Sequence, residues 1–174
     1  MEVLAPVVMH KLYGVMNLKR KWKYIAIWVA ISELTGVLAG WLSRGGTESY
    51  SMTAQKPPLS PPSWVFPVVW SILYALMGIG TGLVSLQADS KERSRGLNLM
   101  ISQLILNFFW PLLFFNLQAY GLSFVWLMFL WLLVLWMILE FRKTVPLAAW
   151  VQIPYLLWLT FALYLNGGVW LLNR

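Results

Sequence analysis

The sequence predicts an all-α membrane protein, a five-transmembrane-helix bundle with its N-terminus cytoplasmic and its C-terminus outside. Three observations carry that expectation. First, 60% of the 174 residues are hydrophobic and only 11% are charged, against roughly 25% charged in a soluble domain. Second, five apolar runs reach the length of about 20 residues that a spanning helix needs: about 24–43, 65–87, 97–117, 120–140 and 147–170. Third, the basic residues divide unevenly under that count. The N-terminus and the second and fourth links hold Lys11, Lys19, Arg20, Lys21, Lys23, Lys91, Arg93, Arg95, Arg142 and Lys143. The opposite side holds only Arg44, Lys56 and Arg174. Excess Lys and Arg mark the cytoplasmic side, and a four- or six-span count would spoil the asymmetry.

The net charge of +7 is thereby explained by topology, and no nucleic-acid partner is expected. There is no Cys, and the one His, His10, precedes the first apolar run. No disulfide, thiolate site or metal centre is expected, and no histidine is available to ligate a haem iron inside the membrane. Residues 1–23 lack the order of a signal peptide, because the short apolar stretch precedes the basic cluster. They read as a basic N-terminal extension, in the form of a short interfacial helix, ahead of a single membrane domain at 24–174.

The first span carries Glu33 at its centre. A carboxylate facing lipid there would cost roughly 2.5 kcal/mol or more. Gly36 and Gly40 lie on its side of the helix and suit close packing, so Glu33 is expected to face the bundle, as a polar tie or a proton-active acid. The link at 44–64 is the only long one. Pro57, Pro58, Pro61 and Pro62 each remove a backbone donor and bias the preceding residue away from helix. It reads as a stiff lid that feeds directly into the second span. There Trp70, Tyr74, Gly78 and Gly82 share one face, with rings at one end and small residues, giving room, at the other.

The third span presents Gln103, Asn107, Trp110 and Phe114 on one face, with a kink expected at Pro111. Its amides must find partners in a dry setting. Trp126, Trp131 and Trp136 of the fourth span do not keep one face and are expected mostly toward lipid or the interfaces. The fifth span places Tyr155, Trp158, Ala162 and Asn166 on one face. Aromatic rings stack on a flat conjugated ligand, while amides meet its polar edges.

The run from Lys56 to Gly78, with Pro61-Pro62-Ser63-Trp64-Val65-Phe66, Val69-Trp70 and Leu73-Tyr74, resembles the signature of the TspO/MBR family of tryptophan-rich sensory and translocator proteins. Leu106-Asn107-Phe108-Phe109-Trp110, Pro154-Tyr155-Leu156-Leu157-Trp158 and Ala162-Leu163-Tyr164-Leu165-Asn166 resemble its blocks in the third and fifth spans. Two departures stand out: Leu59 occupies a position usually aromatic, and a proline is displaced to Pro67. A sterol motif proposed for animal members is not matched at Gly167 and Leu171. The resemblance implies a multi-pass membrane receptor or sensor, of the bacterial plasma-membrane type, that binds porphyrins or other hydrophobic ligands and forms a homodimer. Porphyrin enters as ligand, with no cofactor required. On this reading the ligand-binding residues are Trp64, Trp70, Tyr74, Gln103, Asn107, Trp110, Tyr155, Trp158, Ala162 and Asn166. The alternatives are an enzyme promoting light- and oxygen-dependent porphyrin breakdown, with Trp70 and Trp158 as participants, and a porphyrin or sterol transporter using Glu33.

Overall fold

A computed structural model describes the backbone of residues 4–174 and the side chains of residues 18–174. The side chains of His10 and Lys11, and residues 1–3 altogether, lie outside the described residues. The chain forms α1 (Leu4–Thr53), α2 (Val65–Ser85), α3 (Lys91–Pro111) with a π-helical turn at Leu112–Asn116, α4 (Tyr120–Thr144), α5 (Pro146–Trp150) and α6 (Ile153–Leu172). Among the described residues, five segments are long and apolar enough to cross a membrane: Leu18–Thr53, Val65–Ser85, Lys91–Asn116, Tyr120–Thr144 and Pro146–Leu172. The predicted all-helical five-span fold is what is found.

The helix α1 packs along α2, α3 pairs with α4, and α4 packs on α6. The short links among the last three spans make them antiparallel neighbours, as expected. Between them sits a core of Leu73, Tyr74 and Met77 from α2, Met100 and Leu104 from α3, Leu127, Val134 and Phe141 from α4, and Tyr155 and Leu159 from α6. Most of the described large apolar side chains of α1, such as Ile31, Leu34, Val37 and Leu38, remain exposed. That pattern suits a helix that packs on α2, α3 and the π-helical turn along one side and leaves its other side to lipid.

Three boundaries differ from expectation. The lid does not begin at residue 44, because α1 continues to Thr53. Its polar residues suggested a loop, but they are satisfied within the helix: Thr47 Oγ1 donates to the Ser43 carbonyl at 2.9 Å and Thr53 Oγ1 to the Ser49 carbonyl at 2.9 Å. Tertiary contacts complete the extension. Gly46 abuts the Phe115 backbone, and the Tyr50 ring packs edge-on against Phe114 and Phe115 at 5.2 and 5.3 Å. Residues 4–23, expected as a separate extension, are helical and continuous with the first span. The fifth span is broken at Val151–Gln152, between α5 and α6. Pro154 supplies no N–H to continue the ladder there. The kink expected at Pro111 takes the form of the π-helical turn, since a proline in the ladder leaves a carbonyl without its usual partner.

The remaining loop, 54–64, is a strap across one end of the bundle. Asn173 clamps Gln55 from both sides, its Oδ1 accepting from the Gln55 N–H and its Nδ2 donating to the Gln55 carbonyl, each at 2.9 Å. Tyr164 OH donates to the Pro58 carbonyl at 2.8 Å. Pro57 is buried against Gly168, where a Cβ would lie 2.6 Å from the proline Cβ. Leu59, 80% exposed, turns the strap with φ 63°. A Gly168→Val substitution is expected to lift the strap. Limited proteolysis should then cut within 54–64 several-fold faster than in wild type. An unchanged rate would mean that the strap is held elsewhere.

Candidate functional site

The polar residues of three spans meet inside the bundle. Tyr74 OH donates to Asn107 Oδ1 at 2.5 Å, Asn107 Nδ2 donates to Tyr155 OH at 2.9 Å, and Tyr155 OH donates to Gln103 Oε1 at 2.8 Å. Gln103 Nε2 ends the chain against the sulfurs of Met100 and Met77, at 3.2 and 3.7 Å. All four polar residues are buried, Gln103 and Tyr155 completely. A buried amide or hydroxyl without a partner is costly, so this chain of bonds locks α2, α3 and α6 into one relative register.

Two groups of aromatic rings accompany the network. The Trp70 ring rests 5.4 Å from Tyr74 and 6.1 Å from Tyr155. Phe66 meets Trp158 edge-on at 6.0 Å, Trp158 leads to Phe161 at 5.6 Å, and Phe161 stacks on Tyr164 at 6.2 Å. Tyr164 is the residue that holds the strap. Trp70, Trp158 and Ala162 are only partly buried, so they form a wall rather than core.

The expected site residues therefore divide. Tyr74, Gln103, Asn107 and Tyr155 form the network, while Trp70 and Trp158 line the wall, with Ala162 nearby on α6. Asn166 and Trp110 belong to a second polar cluster. Asn166 meets Ser123 Oγ; turned so that its oxygen faces donors, its amide also accepts from the Trp110 indole N–H at 3.2 Å and donates to the Tyr120 carbonyl at 2.9 Å. Trp64 stands apart at the start of α2, 67% exposed.

Other expectations are corrected. Gly78 does not open space for a ligand, because the Val29 backbone of α1 fills it. Of the Gly36/Gly40 pair, Gly36 receives the Tyr74 ring, while Gly40 has nothing within 4 Å. Glu33 is partly buried, one turn before Gly36 on the same side of α1, while Ser32, Ala39 and Ser43 are among the buried residues of that helix. On α4, two of the three tryptophans face protein. Trp126 Nε1 donates to the Leu106 carbonyl at 2.8 Å and Trp131 Nε1 to Thr160 Oγ1 at 2.9 Å, whereas Trp136 is exposed. An indole N–H in a dry setting takes a neighbour's acceptor when one is within reach.

Glu33 is also not the sole acid within the spans. Glu140, near the end of α4, is 2% exposed. Lys143 Nζ lies 2.9 Å and Arg95 Nη1 3.7 Å from its Oε1. Its spacing of three from Lys143 is a readable signal in the sequence, but it falls at the end of the fourth apolar run, where a charged residue attracts no notice.

A five-span helical bundle whose polar residues converge in its interior, with a strap tied across one end, defines a polytopic integral membrane protein. The chain belongs to the TspO/MBR family, whose model matches residues 28–171. It is 37% identical over 141 residues to the translocator protein of Ovis aries, covering 80% of this chain and 83% of that one. It is 34% identical over 155 residues to the tryptophan-rich protein TspO of Chlorobaculum tepidum, covering 86% and 90%. It is also similar to protein CrtK of Rhodobacter capsulatus, 37% identical over 120 residues, with coverages of 68% and 75%. Membership places the chain among membrane sensors and translocators.

Proposed function

We propose that this protein is a membrane receptor or sensor that binds a flat, conjugated, mostly apolar ligand of the porphyrin class along the aromatic wall beneath the strap. The observation that carries the reading is the seating of Trp70 on both hydroxyl-bearing rings of the polar network, Tyr74 and Tyr155. The network fixes the wall, and a fixed wall loses little conformational freedom when a ligand stacks on it. Trp158 and Phe66 offer further ring surface, and Phe161 and Tyr164 continue it along α6 toward the strap. The ligand would be held by stacking and by hydrogen bonds at its polar edges, with no iron ligand required.

The test is a protoporphyrin titration of the detergent-purified protein in the dark, read by tryptophan fluorescence against a free-tryptophan control. Saturable quenching is expected. Trp158→Phe should weaken binding roughly two- to tenfold, the range of one aromatic pair. Absence of saturable quenching in the wild-type protein would overturn the porphyrin reading. Subsequent illumination separates binder from enzyme: loss of porphyrin absorbance that disappears in Trp70→Phe and Trp158→Phe would favour photo-oxidative breakdown.

A further inference from the structure

We propose that the groove between the start of α3 and the end of α4 is a binding site for the phosphate headgroup of an anionic glycerophospholipid drawn from the surrounding bilayer. Two shallow, open depressions of the surface lie beside the Arg95–Glu140 pair. One, of about 470 Å³, is lined by Trp136, Leu139, Glu140, Arg142 and Lys143. The other, of about 560 Å³, is lined by Asp89, Ser90, Lys91, Ser94, Arg95 and Asn98.

Charge complementarity selects the occupant. The two helix ends bring together Lys91, Arg93, Arg95, Arg142 and Lys143 against Asp89, Glu92 and Glu140, an excess of two positive charges. Arg93 pairs with Asp89. Glu140 is buried, and Lys143 from its own helix and Arg95 from α3 both approach its Oε1, so these two cations are already gathered beside one carboxylate. Ordering them in advance lowers the cost of binding an anion. Arg142 is exposed beside them, and no ion pair among the described residues engages it.

The apolar half of the site selects a lipid over a free anion. Trp136 and Leu139 are 53% and 48% exposed, and Leu132 continues the same strip of α4 one turn deeper at 55%. A tryptophan and a leucine just inside the basic residues, with Leu132 below them, match a headgroup above an acyl chain. Basic clusters at a membrane surface attract anionic lipid.

The test uses the full chain in nanodiscs containing phosphatidylcholine and a minor fraction of phosphatidylglycerol with brominated acyl chains. Quenching of Trp136 is taken as the difference between wild type and Trp136→Phe. Wild type should be quenched more by brominated phosphatidylglycerol than by the same fraction of brominated phosphatidylcholine. Arg142→Gln, which leaves the Glu140 pairs in place, should reduce the preference about five-fold. Lys19→Gln, the same loss of charge on α1, should leave it intact. Equal quenching by both lipids in wild type would overturn the proposal. So would an equal loss in Lys19→Gln, which would reduce the effect to net charge. If millimolar inorganic phosphate abolished the preference, the occupant would be a free anion and the lipid assignment would fail.

Discussion

Replacing Gly78 with leucine is expected to prevent assembly of the bundle, and Gly78→Ala to destabilise it by about 3 kcal/mol. The Cβ of any residue at 78 would overlap Cα and N of Val29. Those are backbone atoms of a neighbouring helix and cannot rotate aside as a side chain can. One turn further, a Cβ at Gly82 would lie 2.6 Å from Ile25 Cα, so α1 and α2 touch backbone to backbone over two turns. In lipid there is little hydrophobic gain from bringing helices together, and close packing must supply the attraction. Overpacking costs about 1–3 kcal/mol even where side chains can yield, and here they cannot. Gly40→Ala is the control. Nothing lies within 4 Å of it, so its effect should stay within about 0.5 kcal/mol. Reversible unfolding in mixed detergent micelles, followed by circular dichroism, measures both. Similar costs at Gly78 and Gly40 would refute the packing assigned to α1 and α2.

The second large effect is expected at Asn107. Asn107→Leu should destabilise the protein by about 2–4 kcal/mol, because it strands the Tyr74 hydroxyl, which donates to Asn107 Oδ1, and removes a donor from Tyr155. A buried polar group left unpaired costs about 1–3 kcal/mol, whereas a transmembrane hydrogen bond contributes on average about 0.6 kcal/mol. Most of the loss should therefore come from the stranded hydroxyl. It follows that Tyr74→Phe, added to Asn107→Leu, should recover part of that loss. The double variant should be less destabilised than the sum of the singles by about 1 kcal/mol or more. Strict additivity in the same unfolding assay would mean that the residues do not act as one network. The same variants bear on the proposed function, since loosening Tyr74 and Tyr155 removes the seat of Trp70.

The elements that were legible in the sequence are those decided within one helix. Each span announces itself because every backbone polar group in a bilayer must be bonded inside its own segment, which forces long unbroken apolar runs. Faces follow from the 3.6-residue period, so Tyr74, Gln103, Asn107 and Tyr155 could be singled out one helix at a time. Pro57, Pro58, Pro61 and Pro62 fixed where a strap had to lie. Pro111 marked where α3 had to distort.

What only the tertiary structure decided depends on which helix stands opposite. Gly36, Gly40, Gly78 and Gly82 are alike in sequence. Gly40 alone among them has nothing opposite, and Gly78 meets backbone instead of empty space. Trp126 and Trp131 point inward because Leu106 and Thr160 offer acceptors there. Residues 44–53 stay helical because Phe114, Phe115 and Tyr120 receive Tyr50. Asn166 pairs with Trp110 and Ser123 instead of joining Asn107, and Glu140 is buried because Arg95 arrives from another helix. In each case the period of a single helix specifies a direction, while the partner found in that direction comes from a residue distant in the chain.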